Sequence, residues 1–368
     1  MRVLMAPDSF GDTLTAAEAA RAMAEGWSSR SPDDELTLRP MADGGPGFVD
    51  VLHESVGGTL LASNVTGPLG DTVPVTMLSS DDTVYIESAQ ACGLHLSDEL
   101  APWDASSRGV GEAILEAVRT GATTIVIGLG GSATTDGGAG ALAALGARAD
   151  VPLDAGPAGL DGLSRVDTSA VRKALDGVEL IAATDVDSQL LGMFGAARVF
   201  GPQKGLGEAD IIHVDRILDD FVEAVCGSSP SQRRPADIKG AGAAGGLGFA
   251  LLALGASPES GIDLVARAIG LPQEVGRHDL VVTGEGAFDH SSGHGKVVHG
   301  VAEYTAAAAR PCIVLAGQAS IGSRETRAMG VESAYAMVDL VGEQESFREP
   351  AASLSALARR VARTWSRD

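Results

Sequence analysis

The sequence predicts an α/β protein built on a mainly parallel sheet, with a second α/β domain inserted into the first. Three observations carry that reading. Short apolar runs at residues 2–6, 123–127, 179–183, 279–283 and 311–316 alternate with helical patterns, as a parallel sheet with crossover helices requires. Most of these runs, and the strand-like 36–38, lead into Asp, Glu, Ser or Gly. Between residues 65 and 87 the texture changes to short alternating runs broken by Gly-Pro, Gly-Asp and Asp-Asp, the pattern of antiparallel strands.

The elements follow in order. The run 2–6 leads into Pro7-Asp8-Ser9-Phe10, and Thr15-x-x-Glu18 then reads as a capping box opening a helix that reaches Trp27. Residues 36–38 form a second strand ending in Met41-Ala-Asp-Gly-Gly45, and 49–56 are helical. After the antiparallel stretch, Val110, Ile114 and Val118 mark an amphipathic helix over 109–119 that feeds the strand 123–127. The strand 179–183 ends in Thr184-Asp185-Val186-Asp187. Residues 227–239 are polar, with Pro, Ser and Arg, and read as a loop or boundary. A glycine- and alanine-rich turn at 240–248 opens a helix running to Leu254. Two more strands, 279–283 and 311–316, each end in glycine-containing turns, and Leu354, Leu357, Val361 and Trp365 line one face of a final helix. Residues 1–60 and 240–368 are therefore expected to form a discontinuous Rossmann-like parallel domain, and 61–239 an inserted mixed α/β domain, with a cleft between the two.

Bulk properties exclude several functions. The chain has 368 residues with 45% hydrophobic and 21% charged content, a globular composition. Its net charge of −22 repels nucleic acid and anionic membranes, so neither is an expected partner. Cys92, Cys226 and Cys312 lack disulfide or metal spacing and read as buried thiols in a reducing, cytoplasmic setting. No apolar stretch is long enough to span a bilayer, and no signal-peptide core precedes Val3.

The chemistry-bearing motifs lie where parallel sheets place their ligands, beyond the carboxyl ends of strands. The run Gly128 to Gly140, GLGGSATTDGGAG, sits between a strand and a helix. Backbone N–H groups at such a turn favour an anion, and Ser132, Thr134 and Thr135 add hydroxyls. Asp8, Asp43, Asp136, Asp185 and Asp289 each stand near a glycine or a strand end. Each suits a helix or turn cap; together they suit Mg²⁺ binding and a general base. Lys204 and Lys296 sit in glycine contexts on an otherwise acidic chain, as phosphate contacts do. There is no Walker A loop. GAGAAG at 240–245 matches the dinucleotide fingerprint only formally, because a polar loop precedes it. His290 and His294 are four apart but separated by Gly293, which disfavours a helical zinc pair. Neither Ser9 nor Ser132 has a nucleophile-elbow sequence.

At these residues the chain resembles the bacterial glycerate kinase family, of the glycerate 2-kinase type. APDSF at 6–10, ADGG at 42–45, GPLG at 67–70, GLGGSAT at 128–134 with Asp136-Gly-Gly138, FGPQKG at 200–205, GAGAAGGLG at 240–248 and TGEG at 283–286 appear in order, followed by Asp289 and Gly295-Lys296. The resemblance implies ATP-dependent phosphorylation of glycerate and a fold of two α/β domains, one inserted in the other. Read onto this chain, Ser9, Gly130, Gly131, Ser132, Thr134, Gly137, Lys204, Gly284, Glu285 and Lys296 would bind phosphate or substrate. Asp8, Asp43 and Asp136 would hold Mg²⁺, and Asp185 or Asp289 would orient and deprotonate the hydroxyl, in a reaction governed by positioning and charge stabilisation. The chain departs from the family pattern at Gly11 and Ala287, where a lysine and an arginine are usual, and at Pro46, Thr135, Thr184, Ser291 and Ser292. Arg108 and His290 are candidates to supply the missing cations. The alternative reading is a diverged member that binds nucleotide or acid without catalysis, as a sensor or accessory protein.

Overall fold

The computed structural model describes residues 1–290 and 296–366, so the expectations placed on Ser291, Ser292 and His294 lie outside it. The chain folds as two compact α/β units. The first comprises residues 1–43, 50–56 and 262–368, and the second 44–49 and 57–261. Residues 240–261, assigned above to the first domain, lie in the second unit. The reason is sheet pairing, since 257–259 extend the second unit's sheet.

Thirteen strands are described: β1 (Arg2–Met5), β2 (Glu35–Leu38), β3 (Thr59–Thr66), β4 (Thr72–Ser80), β5 (Thr83–Glu87), β6 (Thr124–Gly128), β7 (Arg148–Ala149), β8 (Val166–Asp167), β9 (Glu179–Ala183), β10 (Ser257–Glu259), β11 (Leu280–Phe288), β12 (Cys312–Ala319) and β13 (Ser333–Ala336).

The first unit holds a five-stranded sheet of order β13-β12-β11-β1-β2, parallel throughout. Its central strands are apolar on both faces, as strands covered by crossover helices must be. Val3, Met5, Leu280, Val282, Ile313 and Leu315 meet Trp27, Leu357 and Val361 from the helices Ala16–Arg30 and Pro350–Trp365. The expected capping box forms: Glu18 N–H donates to Thr15 Oγ1 at 3.2 Å, and Thr15 N–H donates to Glu18 Oε2 at 2.9 Å. One expectation changes here. TGEG is no turn, because β11 runs unbroken through it and pairs with β12 as far as Phe288. Gly284 is needed for that pairing, since a Cβ there would lie 2.1 Å from the Leu315 carbonyl oxygen.

The second unit holds a six-stranded sheet of order β10-β9-β6-β5-β4-β3. Strands β10, β9, β6 and β5 pair in parallel, and β4 and β3 add antiparallel strands, as the texture after residue 65 predicts. Ile125, Ile127, Ile86 and Leu180 pack beneath Val110 and Ile114 of the helix Arg108–Arg119 and Phe221 of the helix Glu208–Cys226. The polar stretch 227–239 is not a loop: Pro230–Asp237 is helical. Ser229 and Gln232 form a capping box at its start, so local caps organise a segment that has little apolar content to reveal it.

The glycine loop is packed as tightly as a core. Gly138 has φ +82°, and a Cβ on it would lie 2.4 Å from the Ala250 Cβ. Left-handed backbone costs an L residue about 1–2 kcal/mol, and overpacking adds about 1–3 kcal/mol. Gly138→Ala should therefore lower unfolding stability by roughly 2–5 kcal/mol. A urea midpoint unchanged from wild type would contradict this packing.

Candidate active site

In the first unit, acidic groups gather at the carboxyl end of the parallel sheet. Asp8 follows β1, Asp43 follows β2, and Glu285 lies within β11. The backbone fixes them: Asp8 N–H donates to the Gly284 carbonyl at 2.8 Å, and Met41 N–H donates to the Pro7 carbonyl at 2.9 Å. Ser9 N–H donates to Asp8 Oδ1 at 2.7 Å. Lys296, the N-cap of the helix Val297–Ala307, places Nζ 3.6 Å from Glu285 Oε2. Burial, followed by the charges of Asp43 and Glu285, holds the Asp8 carboxyl well above the usual carboxylate range; Ser9 N–H and Lys296 pull it down. The cluster is thus a concentration of acidic groups beside Lys296. A divalent cation would complete it. Mg²⁺ commonly takes one or two protein carboxylates and completes its shell with water and phosphate oxygens. Asp8 and Asp43 are the carboxylates that would hold such an ion; among the described residues no group of three or more ligating side chains is gathered for a metal.

In the second unit the glycine loop divides into two parts. Gly130 and Gly131 reach the surface; Ser132, Thr134, Asp136 and Gly137 are buried. Asp136 is fully enclosed and spends both oxygens inside the protein. Its Oδ2 accepts from Ser107 N–H at 2.8 Å, Ser107 Oγ–H at 2.7 Å and Gly140 N–H at 3.1 Å, and its Oδ1 accepts from Gly138 N–H at 3.1 Å. Burial pushes its pKa up against the pull of these donors. Asp136, expected above to hold Mg²⁺, here ties the helices at 108 and 139 together through its carboxylate. Gly137 likewise serves packing: its N–H donates to the Gly245 carbonyl at 3.0 Å, and a Cβ would meet Leu218 and Phe221 at 2.9 Å.

Lys204 is the largest departure. It is 2% exposed, and its Nζ donates to the Thr134 carbonyl at 2.6 Å and to Ser132 Oγ at 3.1 Å. The FGPQKG segment thus pins the glycine loop from within through this lysine. Burial lowers the Lys204 pKa to about 8. The folded state therefore binds fewer protons than the unfolded state between about pH 8 and the ordinary lysine value of 10.5. Over that window the Lys204 contribution to stability rises with pH. Lys204→Met is expected to flatten this component: the stability difference between wild type and variant should shift in favour of wild type from pH 7.5 to 10. Equal slopes in chemical denaturation across that range would show that the lysine is not buried as described.

Asp185 stands just beyond the carboxyl end of β9, half-buried, and its Oδ1 accepts from Ser260 Oγ–H at 2.6 Å. Asp289 follows β11 in the first unit and is half-buried. Asp8, Ser9, Asp43, Glu285, Lys296 and Gly284 are thus brought together in one unit, with Gly284 buried as strand backbone. Gly130, Gly131 and Asp185 lie in the other unit. Arg108 supplies no replacement cation to the site: its Nε donates to Glu112 Oε1 at 2.9 Å and its Nη1 to Asp154 Oδ2 at 2.5 Å. His290 is exposed. Sequence reasoning missed Ser260 and Ser107, both partners of carboxylates. Ser107 stands directly before a helix, a signal that pointed to capping.

A parallel sheet with carboxylates and a lysine converging at its carboxyl end, joined to a mixed α/β unit, is the architecture of an α/β enzyme that handles charged small molecules. The comparison with known proteins makes this specific. The model of the glycerate kinase family matches residues 3–366. The chain is 38% identical to the glycerate 2-kinase of Escherichia coli strain K12, covering 99% of this chain and 98% of that one. It is 39% identical to the glycerate kinase of Bacillus subtilis strain 168, covering 98% and 97%. A crystal structure of a Salmonella typhimurium LT2 protein assigned as glycerate kinase 2 superposes with a TM-score of 0.79 at 35% identity, covering 99% and 98%. The chain belongs to the glycerate kinase family, and kinases are phosphotransferases. Among the described residues no helix is long and apolar enough to cross a membrane.

Proposed function

We propose that the chain transfers the γ-phosphoryl group of ATP to a hydroxyl of glycerate or a closely related hydroxy acid. The observation that supports this best is the convergence of Asp8, Asp43, Glu285 and Lys296 at the carboxyl end of the first unit's sheet. Phosphoryl transfer is catalysed mainly by positioning and by neutralising phosphate charge. Asp8 and Asp43 are the residues that would hold Mg²⁺, which when bound neutralises phosphate charge. Lys296 supplies a further positive charge, and Glu285 holds that lysine in place. In the second unit Gly130 and Gly131 offer the exposed backbone of the loop. Asp185, oriented through Ser260, takes the proton of the attacking hydroxyl, and Asp289 has a phosphate-positioning role. The absence of the usual basic residues at Gly11 and Ala287 bears on how an acid is recognised, so the acceptor is tested as a series.

The test is ADP release from ATP and Mg²⁺ with glycerate and with a panel of small hydroxy acids. Release at least tenfold above the acceptor-free rate with glycerate or a near neighbour is expected. ATP binding without acceptor-dependent release for any panel member would favour the non-catalytic alternative.

A further inference from the structure

The first unit contains a pocket of about 430 Å³ at the carboxyl ends of its strands, and its walls are mainly apolar. Its volume falls within the roughly 300–1,000 Å³ typical of ligand pockets. Phe10, Met337 and Phe347 supply apolar wall. Gly286 and Gly317, on the paired strands β11 and β12, supply bare backbone beside them, and a Cβ on Gly317 would lie 2.4 Å from the Gly286 carbonyl oxygen. Two small residues, Gly11 and Ala287, keep long side chains out of the space. Asp12 and Lys296 also line it. The same Lys296 ion-pairs with Glu285, so the pocket adjoins the carboxylate cluster.

Glycerate is small and polar on every side and has no use for these walls. A purine has two apolar faces and a polar edge. It fills such a pocket by stacking and by burying its rings. A carboxylate at the rim is the side chain that commonly accepts hydrogen bonds from ribose hydroxyls. We propose that this pocket binds the nucleoside end of the phosphoryl donor, with Asp12 accepting from the ribose and Lys296 marking the side toward the phosphates. The proposal rests on the reading that the chain uses a nucleotide donor, and it assigns the base to the first unit alone. Phe347, 63% exposed, is then a wall that ligand covers.

Calorimetric titration of the full-length protein with ADP tests it. Ala287→Trp, which fills the pocket, and Phe347→Ser, at an exposed position that leaves the core intact, should each weaken ADP binding at least tenfold. Asp12→Asn should weaken ADP more than 2′,3′-dideoxy-ADP. Melting temperatures check that the variants fold. If both pocket variants bind ADP within twofold of wild type while wild type phosphorylates an acceptor, the pocket assignment is overturned and the kinase reading stands. If the variants lose ADP while wild type phosphorylates no acceptor, the pocket assignment stands and the kinase reading fails. Weakened binding of the acceptor, with ADP unaffected, would assign the pocket to the acceptor and overturn the proposal.

Discussion

Asp185→Asn is expected to lower turnover by roughly 10² to 10⁴-fold while leaving ATP affinity and melting temperature near wild type. The asparagine keeps the shape and can still accept the Ser260 hydroxyl, but it cannot take a proton. Asp185 is half-buried at a strand end and is not part of a core, so its loss should not unfold the second unit. On that assignment Ser260 would act through Asp185 as a positioning residue. Ser260→Ala should therefore lower kcat more than it raises KM. A variant with Asn at 185 that turns over within threefold of wild type would exclude Asp185 as the base and move the assignment to Asp289.

The second large effect concerns stability. Asp136→Ala is expected to destabilise the protein by roughly 3–5 kcal/mol, a melting-temperature fall on the order of 10 °C. The carboxylate receives three backbone N–H groups and one hydroxyl. Removing it strands those donors in a site without solvent, and each unsatisfied buried donor costs about 1–3 kcal/mol. Ser107 Oγ also accepts from Ala141 N–H at 3.1 Å, so the loss propagates into the next helix. Asp136→Asn retains an acceptor and should fall between Ala and wild type. If Asp136 instead served a metal and nothing else, the alanine variant would keep its melting temperature in metal-free buffer.

The contrast between these two aspartates shows what the sequence could and could not convey. Periodicity made the strands legible: Glu179–Ala183 and the helix Arg108–Arg119 emerge from apolar spacing nearly to the residue. Chain order made the strand-end aspartates legible too. What sequence cannot express is which strand-end groups face solvent. Asp8, Asp136 and Lys204 are all chemistry-bearing residues near a strand end or a glycine, yet the first keeps part of its surface exposed and the other two are fully enclosed. Glycine is ambiguous for the same reason. It serves close approach of a ligand and close approach of a neighbouring backbone equally well, and at Gly138 and Gly284 the neighbour is protein. The pocket residues Gln318, at the end of β12, and Met337 and Phe347, from helices later in the chain, carry no local motif. The return of the chain at 261 follows from the pairing of the three-residue strand β10 with β9, too short a signal to read alone.

The central claim, that this chain phosphorylates a small hydroxy acid, is tested most directly by phosphorus NMR of a reaction containing the protein, ATP, Mg²⁺ and glycerate. The expected spectrum shows ADP together with a new phosphate-monoester resonance that splits by coupling to the carbon-bound proton or protons of the phosphorylated position, and that is absent without glycerate. A spectrum in which ATP persists, or in which ADP appears only with inorganic phosphate, would contradict it.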